Sequence, residues 1–558
     1  MSAPRSTPAT LGAAPEPAAQ RQGAVADRNA DRALLATLVG LALVAQWLWM
    51  DASVGPYDEG LVLFGADRVL RGDIPYRDFF TLYAPGGFYA MAGLFHVFGE
   101  FAIVERLYDA VVKALAVGAS FLLLLNFGRV AVAWLGSLLV LALLIHLRNY
   151  GVVLFPAVAF ALLGVLALHR ATTRQSGACA LAAGLAVAVS TLFRHDVGAY
   201  TLLACAVFLI DPHGGRRMPA ADGQWSAGRL FFAAYACAML PLLCWLVAVV
   251  PWRDLQRNLI DIPLFVYPRV RELPFPDAAE ALRKAFSMRS PAPLAPLSVF
   301  LPLAVALWCL VREARAGRLR LRRVEVSPAE SLFRFLAVLN IVYFAKGLVR
   351  VSGVQMGASL LVSILLVTAG VAMASHRRWD KGFAVVGTGG ACAALLLALL
   401  FGQWAGNAAA LCRDRSVPRL ICLRLDKDQT AVARYLLDHG GAGQRVFFGL
   451  GRHDKIFISD QALAFAVSAR PVTYWHDLHP GVQTTAEVQS EMIAEFAARA
   501  PDRVVLNRRW DSRAEPNDSA RSEGVTLLDD YLRANFRPVY SSGRLTVLAP
   551  AGPTTDSR

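Results

Sequence analysis

Charge is scarce in this sequence. Only 18% of its 558 residues are Asp, Glu, Lys or Arg, against 56% hydrophobic. Soluble domains carry roughly a quarter charged residues, so an ordinary soluble globule is excluded. Cysteine is sparse too. The 8 cysteines show no metal-ligand spacing, and those inside apolar runs read as small packing residues. Cys412 and Cys422 differ: they flank RDRSVPRLI, and a local disulfide is plausible there if the region faces an oxidising compartment. No repeat of solenoid period is present. The start carries no cleavable signal pattern, so the first apolar run is expected to act as its own insertion signal.

Long apolar runs are what the chain has in quantity. They recur from residue 34 to residue 402, each roughly 15–22 residues long, which fits a hydrocarbon core of about 30 Å. A spanning segment must satisfy its own backbone in lipid, so helices are expected. The runs predict about eleven spans: 34–50, 109–126, 130–146, 153–168, 178–194, 198–210, 230–250, 293–311, 331–349, 354–374 and 383–402. The fold class is therefore a polytopic α-helical membrane protein. The net charge of +14 is explained by basic inner loops, without nucleic acid. Arg5, Arg21, Arg28 and Arg32, then Arg129, Arg170 and Arg174, then Arg216, Arg217 and Arg229, then Arg312 to Arg323 and His376 to Lys381 all fall on one side if the N-terminus is cytoplasmic. Residues 1–33, rich in Ala, Pro, Arg and Gln, read as a disordered cytoplasmic tail.

That orientation puts three longer segments outside: 51–108, 251–290 and everything from 403. The last alternates short apolar stretches (RVFFGLG, DRVVLN) with helical patterns (DQTAVARYLLDHG, TTAEVQSEMIAEFAARAP) and closes on SGRLTVLAP. This predicts a soluble α/β domain over 403–558. Short charged returns, HLRNYG, RHDVG and KGLVRVSG, reach the same outer face.

The first outer loop holds GPYDEGLVLFGADRVLRGDIPYRDFFTLYAPGGFY, with five acids and three arginines. A carboxylate pair such as Asp58–Glu59 can act as general base, help hold a divalent cation, or be solvated loop charge. The stretch from Gly60 has helical spacing that gathers Asp67, Arg68 and Arg71 on one face. It reads either as an amphipathic helix in the membrane interface or as a helix packed on the outer domain. Asp78 is a further candidate acid. Arg148, Arg194, His195, Asp196, Lys346 and Arg350 stand at outer helix ends, where Arg and Lys suit phosphate or serve as snorkelling anchors. In the C-terminal segment His453, Asp454, His476, Asp477 and His479 could make a metal site, or be loop residues that face the membrane part. GLG is too short for a phosphate loop.

Asp-Glu-Gly after the first run, ADRVLRGDIPYRDFF, YAPGGFY and a downstream FG…ER resemble the first outer loop of GT-C glycosyltransferases. The likeness is to the bacterial branch related to protein O-mannosyltransferases and to aminoarabinose or galacturonic acid transferases. It covers residues 34–200, and the rest matches in layout alone. The resemblance implies a polyprenyl-phosphate sugar donor and transfer to a lipid, glycan or protein acceptor at the outer face of the bacterial inner membrane. It also implies a role for Asp58 as base, with Glu59 and Asp78 as supporting acids. The donor phosphate would then fall to Arg194, Lys346, Arg350 and Arg148, with His195 and Asp196 beside them. A flippase of lipid-linked sugars is the alternative from another class. Against it, the ionisable groups sit at helix ends rather than mid-span. A non-catalytic assembly protein of the same fold is a third reading.

Overall fold

The computed structural model describes residues 18–147, 150–211, 226–277, 279, 297–317, 326–374 and 416–551. Arg148, Cys412 and the expected span 383–402 lie outside them. Cys422 is disulfide-bonded, and its partner also lies outside.

The apolar runs fold as helices. In chain order these are α1 (Ala18–Leu48), α2 (Asp58–Leu70), α3 (Gly86–Phe98), α4 (Ala102–Leu124), α5 (Val130–Leu147), α6 (Leu154–Arg174), α7 (Gly177–Phe193), α8 (His195–Ile210) and α9 (Ala227–Val249). After α9 come a helical segment, Trp252–Gln256 with a π-helical continuation Arg257–Val266 and a last turn Tyr267–Arg271, and then helices Leu297–Arg315, Pro328–Gly347 and Gly353–Ala374. Among the described residues seven helices are long and apolar enough to cross a membrane: Asn29–Leu48, Ala102–Phe127, Val130–Leu147, Leu154–Arg174, Ala227–Val249, Pro328–Gly347 and Gly353–Ala374. The expected spans 178–194 and 198–210 are the shorter apolar helices α7 and α8.

The turns follow from local chemistry. Ser176 caps α7 by accepting the Cys179 amide at 3.3 Å. Gly128 takes φ +79° between α4 and α5, a conformation that favours glycine. Small residues let helices close in: a Cβ on Gly184 of α7 would stand 2.3 Å from the Phe231 carbonyl of α9. Apolar side chains such as Val111, Leu139, Leu185 and Leu240 stay exposed on the bundle, where a soluble helix would carry charge.

The C-terminal part is a four-stranded sheet of order β1-β2-β4-β3, with β1 (Val446–Leu450), β2 (Arg503–Asn507), β3 (Phe536–Ser542) and β4 (Leu545–Pro550). β1 and β2 are parallel, with Phe448 opposite Val505. β4 runs antiparallel to both β2 and β3. All five residues of β1 are buried, as a strand covered on both faces should be. Asp426 and Gln429 form a capping box at the start of helix Lys427–Gly440.

The outer-loop helix α2 lies inside the protein, not in the membrane interface. Its residues Glu59 to Arg68 are all buried. Val62, Leu63 and Phe64 join Met91 and Phe95 of α3, and Leu420, Leu436, Phe465 and Val505 of the C-terminal part, in one core. Phe95 stacks on Phe465 with ring centroids 5.6 Å apart. The second sequence-based reading, a helix packed on the outer domain, is the one realised. Its charges explain why: Asp67 meets Arg71 at 2.8 Å and Arg419 at 3.1 Å, while Arg68 pairs with Asp73 at 2.7 Å and lies 3.2 Å from His476 Nδ1. Arg71 and Asp73 belong to the same segment, and the C-terminal part adds Arg419 and His476, which a lipid surface would not supply.

Candidate active site

Asp58 opens α2, where a carboxylate suits the positive end of the helix. No side chain caps this end. The C-terminal part grips it instead: the Pro56 carbonyl accepts the Gln461 amide at 2.9 Å and the Ala462 amide at 3.2 Å. The Tyr83 hydroxyl donates to Asp58 Oδ1 at 2.6 Å. Asp58 is accessible to solvent, yet Tyr83, Arg194, Asp477 and His479 all act on its charge. It is therefore open to solvent on one side and ringed by these groups on the other. Burial in that ring pushes its carboxyl up from the ordinary range, and Asp477 adds to the rise. The Tyr83 bond and Arg194 oppose it without cancelling it.

The adjacent Glu59 has other partners. It is 2% exposed and bound by both arms of Arg106, at 2.8 and 2.9 Å, and by the Gly55 amide at 2.7 Å. Arg106 also lies over the Tyr150 ring at 3.5 Å. Asp78 closes a turn: its carboxylate accepts the Ile74 amide at 2.7 Å and pairs with Arg77 at 2.7 Å. Burial works against its charge, but the Arg77 bond and the Ile74 amide hold it below the usual range.

A cationic cluster joins three elements. Arg194, in extended conformation between α7 and α8, donates to Asp196 Oδ1 at 2.8 Å and to Gln355 Oε1 at 2.9 Å. Lys346 donates to the same Gln355 oxygen at 2.9 Å and stands 3.4 Å from Asp196 Oδ2. Two cations share one carboxylate, so the cluster stays positive and suits an anion. His195 begins α8 beside it, partly buried. Arg350 is engaged elsewhere: it grips Glu515 with both arms at 2.9 and 2.5 Å and donates to the Arg271 carbonyl at 2.7 Å.

The metal reading gains nothing from the geometry. His453 holds Asp529 at 2.7 Å, and Asp454 pairs with Arg452 and Ser522. His476 faces Arg68, and Asp477 and His479 meet at 3.1 Å beside Tyr57. Among the described residues no group of three or more such side chains has a metal-holding arrangement. Asp58 itself is surrounded chiefly by hydroxyl and guanidinium groups, a poor donor set for a cation.

Neither a family model nor a curated protein sequence matches the chain. Solved structures do. ArnT from Cupriavidus metallidurans bound to undecaprenyl phosphate aligns with a TM-score of 0.52 over 93% of this chain and 98% of that one, at 16% identity. The chain has the GT-C fold. The same ArnT in the apo state gives 0.50 at 17% identity over 93% of this chain and 98% of that one. The Archaeoglobus fulgidus oligosaccharyltransferase in the apo form gives 0.50 at 11% identity over 85% of this chain and 69% of that one.

Within this GT-C fold several groups at the site were not singled out from the sequence. Tyr83 is the direct partner of Asp58, and nothing in the sequence around it marked it as such. Gln355 bridges Arg194 and Lys346 and carries no charge to attract notice. Tyr57 precedes the acid pair and binds the C-terminal part. Only its adjacency to Asp58 could have marked it.

Proposed function

We propose that the chain is an inverting glycosyltransferase that moves a sugar from a polyprenyl-phosphate donor to an acceptor at the outer face of the inner membrane, with its C-terminal domain in the periplasm. One observation carries the reading: a solvent-accessible carboxylate of raised proton affinity, Asp58, feels the charge of Arg194, which Gln355 joins to Lys346 in one positive cluster. The likeness of fold to an ArnT crystallised with undecaprenyl phosphate supports the choice of donor.

The chemistry follows from the charges. Asp58 takes the proton from an acceptor hydroxyl or amine as its lone pair attacks the anomeric carbon. The bond from that carbon to the phosphate oxygen breaks, and the polyprenyl phosphate leaves with the electron pair. Arg194 and Lys346 stabilise the charge that grows on it. A single displacement inverts the anomeric centre. Tyr83 orients Asp58 by its short hydrogen bond. Glu59 and Asp78 take supporting roles, as anchors of the helix start and of the turn rather than in the proton transfer. Arg350 serves the junction with the C-terminal domain. The acceptor is a lipid, a glycan or a protein of the cell envelope.

The test uses purified full-length protein in detergent with a panel of undecaprenyl-phosphate sugars, aminoarabinose, galacturonic acid and mannose among them, and envelope extracts as acceptor. Turnover without a sealed bilayer separates transferase from flippase. Asp58→Asn is expected to lower kcat by about 10²–10⁴-fold while leaving insertion and the thermal melt unchanged. Wild-type turnover by this variant would remove Asp58 from the mechanism.

A further inference from the structure

A carboxylate taken wholly out of water is costly unless cations or donors surround it. Asp477 is 0% exposed. It sits on the segment Tyr474–Gln483 of the C-terminal domain, and that segment is tightly held. Gln461 Nε2 donates to the His476 carbonyl, Gln483 Nε2 to the Asp477 carbonyl at 2.9 Å, and the His479 amide to Gln483 Oε1 at 2.6 Å. Trp475 within it is buried. Such a loop places its side chains with little freedom.

The Asp477 carboxylate spends this rigidity on the helix that starts at Asp58. Its Oδ2 lies 3.1 Å from His479 Nε2, and the same nitrogen lies 2.7 Å from the Tyr57 hydroxyl. Tyr57 is the residue before Asp58. Asp477 Oδ1 and His479 Nδ1 have no hydrogen-bond partner among the described residues. A pair built for packing alone would have those atoms satisfied.

We propose that this segment of the C-terminal domain completes the reaction centre, with Asp477 and His479 acting through Tyr57 as positioning residues that hold Asp58 and set a second negative charge beside it. The inference rests on the reading of Asp58 as base. The charged and titratable groups that face Asp58 come from every neighbouring element: Tyr57 before α2, Tyr83 before α3, Arg194 between α7 and α8, Arg350 after helix Pro328–Gly347, and Asp477 and His479 from the C-terminal domain. In this ring Asp477 is the other carboxylate. Its charge opposes ionisation of Asp58, and a carboxylate harder to ionise is a better proton acceptor once ionised.

The test compares pH–rate profiles of full-length wild type, Asp477→Asn, His479→Gln and Tyr57→Phe, using whichever undecaprenyl-phosphate sugar of the panel supports turnover. Undecaprenyl phosphate binding is measured in parallel. For Asp477→Asn the acid limb of kcat is expected to move down by roughly one pH unit, the plateau to fall about tenfold or more, and undecaprenyl phosphate affinity to stay within about twofold of wild type. Asp477→Glu restores the limb. Tyr57→Phe, which removes one oxygen, lowers kcat with KM unchanged, and it reads the same link if Asp477→Asn yields no folded protein. An unmoved acid limb and plateau in Asp477→Asn, or in its absence a wild-type kcat in Tyr57→Phe, overturns the proposal. Wild-type turnover in Asp58→Asn overturns the underlying assignment instead, so the two failures are distinguishable.

Discussion

Asp58 and Glu59 are neighbours of the same chemical type with different surroundings. Asp58 faces water and Tyr83, while Glu59 is sealed against Arg106. Removing one member of a buried ion pair strands the other, at a cost of about 3–5 kcal/mol. Glu59→Gln is therefore expected to lower the thermal melt of the detergent-solubilised protein markedly, whereas Asp58→Asn should leave it near wild type and lower turnover by about 10²–10⁴-fold. Equal melts for the two variants would contradict the division of roles. With Asp58 as the proposed base, the pH dependence of turnover is expected to follow the same residue. Burial raises the proton affinity of Asp58, so the competent ionised form is lost as pH falls, beginning above the ordinary carboxylate range.

At the scale of elements, α2 is the part on which the site depends. It is fixed by contacts that leave no room for a side chain. A Cβ on Gly60 would stand 2.3 Å from the Ala462 amide nitrogen, and one on Gly151, where φ is +67°, 2.4 Å from the Glu59 Cα. Overpacking of this kind costs about 1–3 kcal/mol, here against backbone that cannot rotate away. Gly60→Ala is expected to loosen the C-terminal domain from α2, read as faster limited proteolysis around residues 461–483 and reduced turnover. Wild-type proteolysis would show that this close approach is not essential.

At the scale of the molecule, salt bridges tie the helical part to the C-terminal domain: Arg350 with Glu515, Arg257 with Glu491 at 3.4 Å, and the exposed Arg253 with Glu487 at 3.2 Å. The first is the most structured. Burial works against the Glu515 charge, but Arg350, Asn517 and Arg271 outweigh it and hold its pKa at about 2. A carboxylate with a depressed pKa contributes in full above its unfolded value of about 4.3 and loses that contribution as pH falls toward about 2. Docking of the C-terminal domain is thus expected to be constant from pH 7 to about 4.5 and to weaken below that, as read by protease sensitivity. In Glu515→Gln the weakening below about 4.3 should be smaller. An identical pH response in wild type and Glu515→Gln would exclude this pair as the source.

Much of the fold was legible because its signals are local. Lipid-length apolar runs and the alternation of short apolar stretches with helical patterns after residue 403 each act over a few residues. Asp58 was conspicuous in the sequence as well, since charge beside an apolar run stands out. The division between Asp58 and Glu59, the Gln355 bridge, the burial of α2 and the Asp477–His479–Tyr57 contact were not. Each depends on which groups distant segments bring together: Arg106 lies 47 residues from Glu59, and His479 lies 422 from Tyr57. Sequence by itself determined which segments enter an apolar phase and where they turn, because burial and capping follow from residue type and spacing. Tertiary structure decided which charges face water and which are matched, because the energy of a charge depends on its surroundings rather than on its neighbours in the chain.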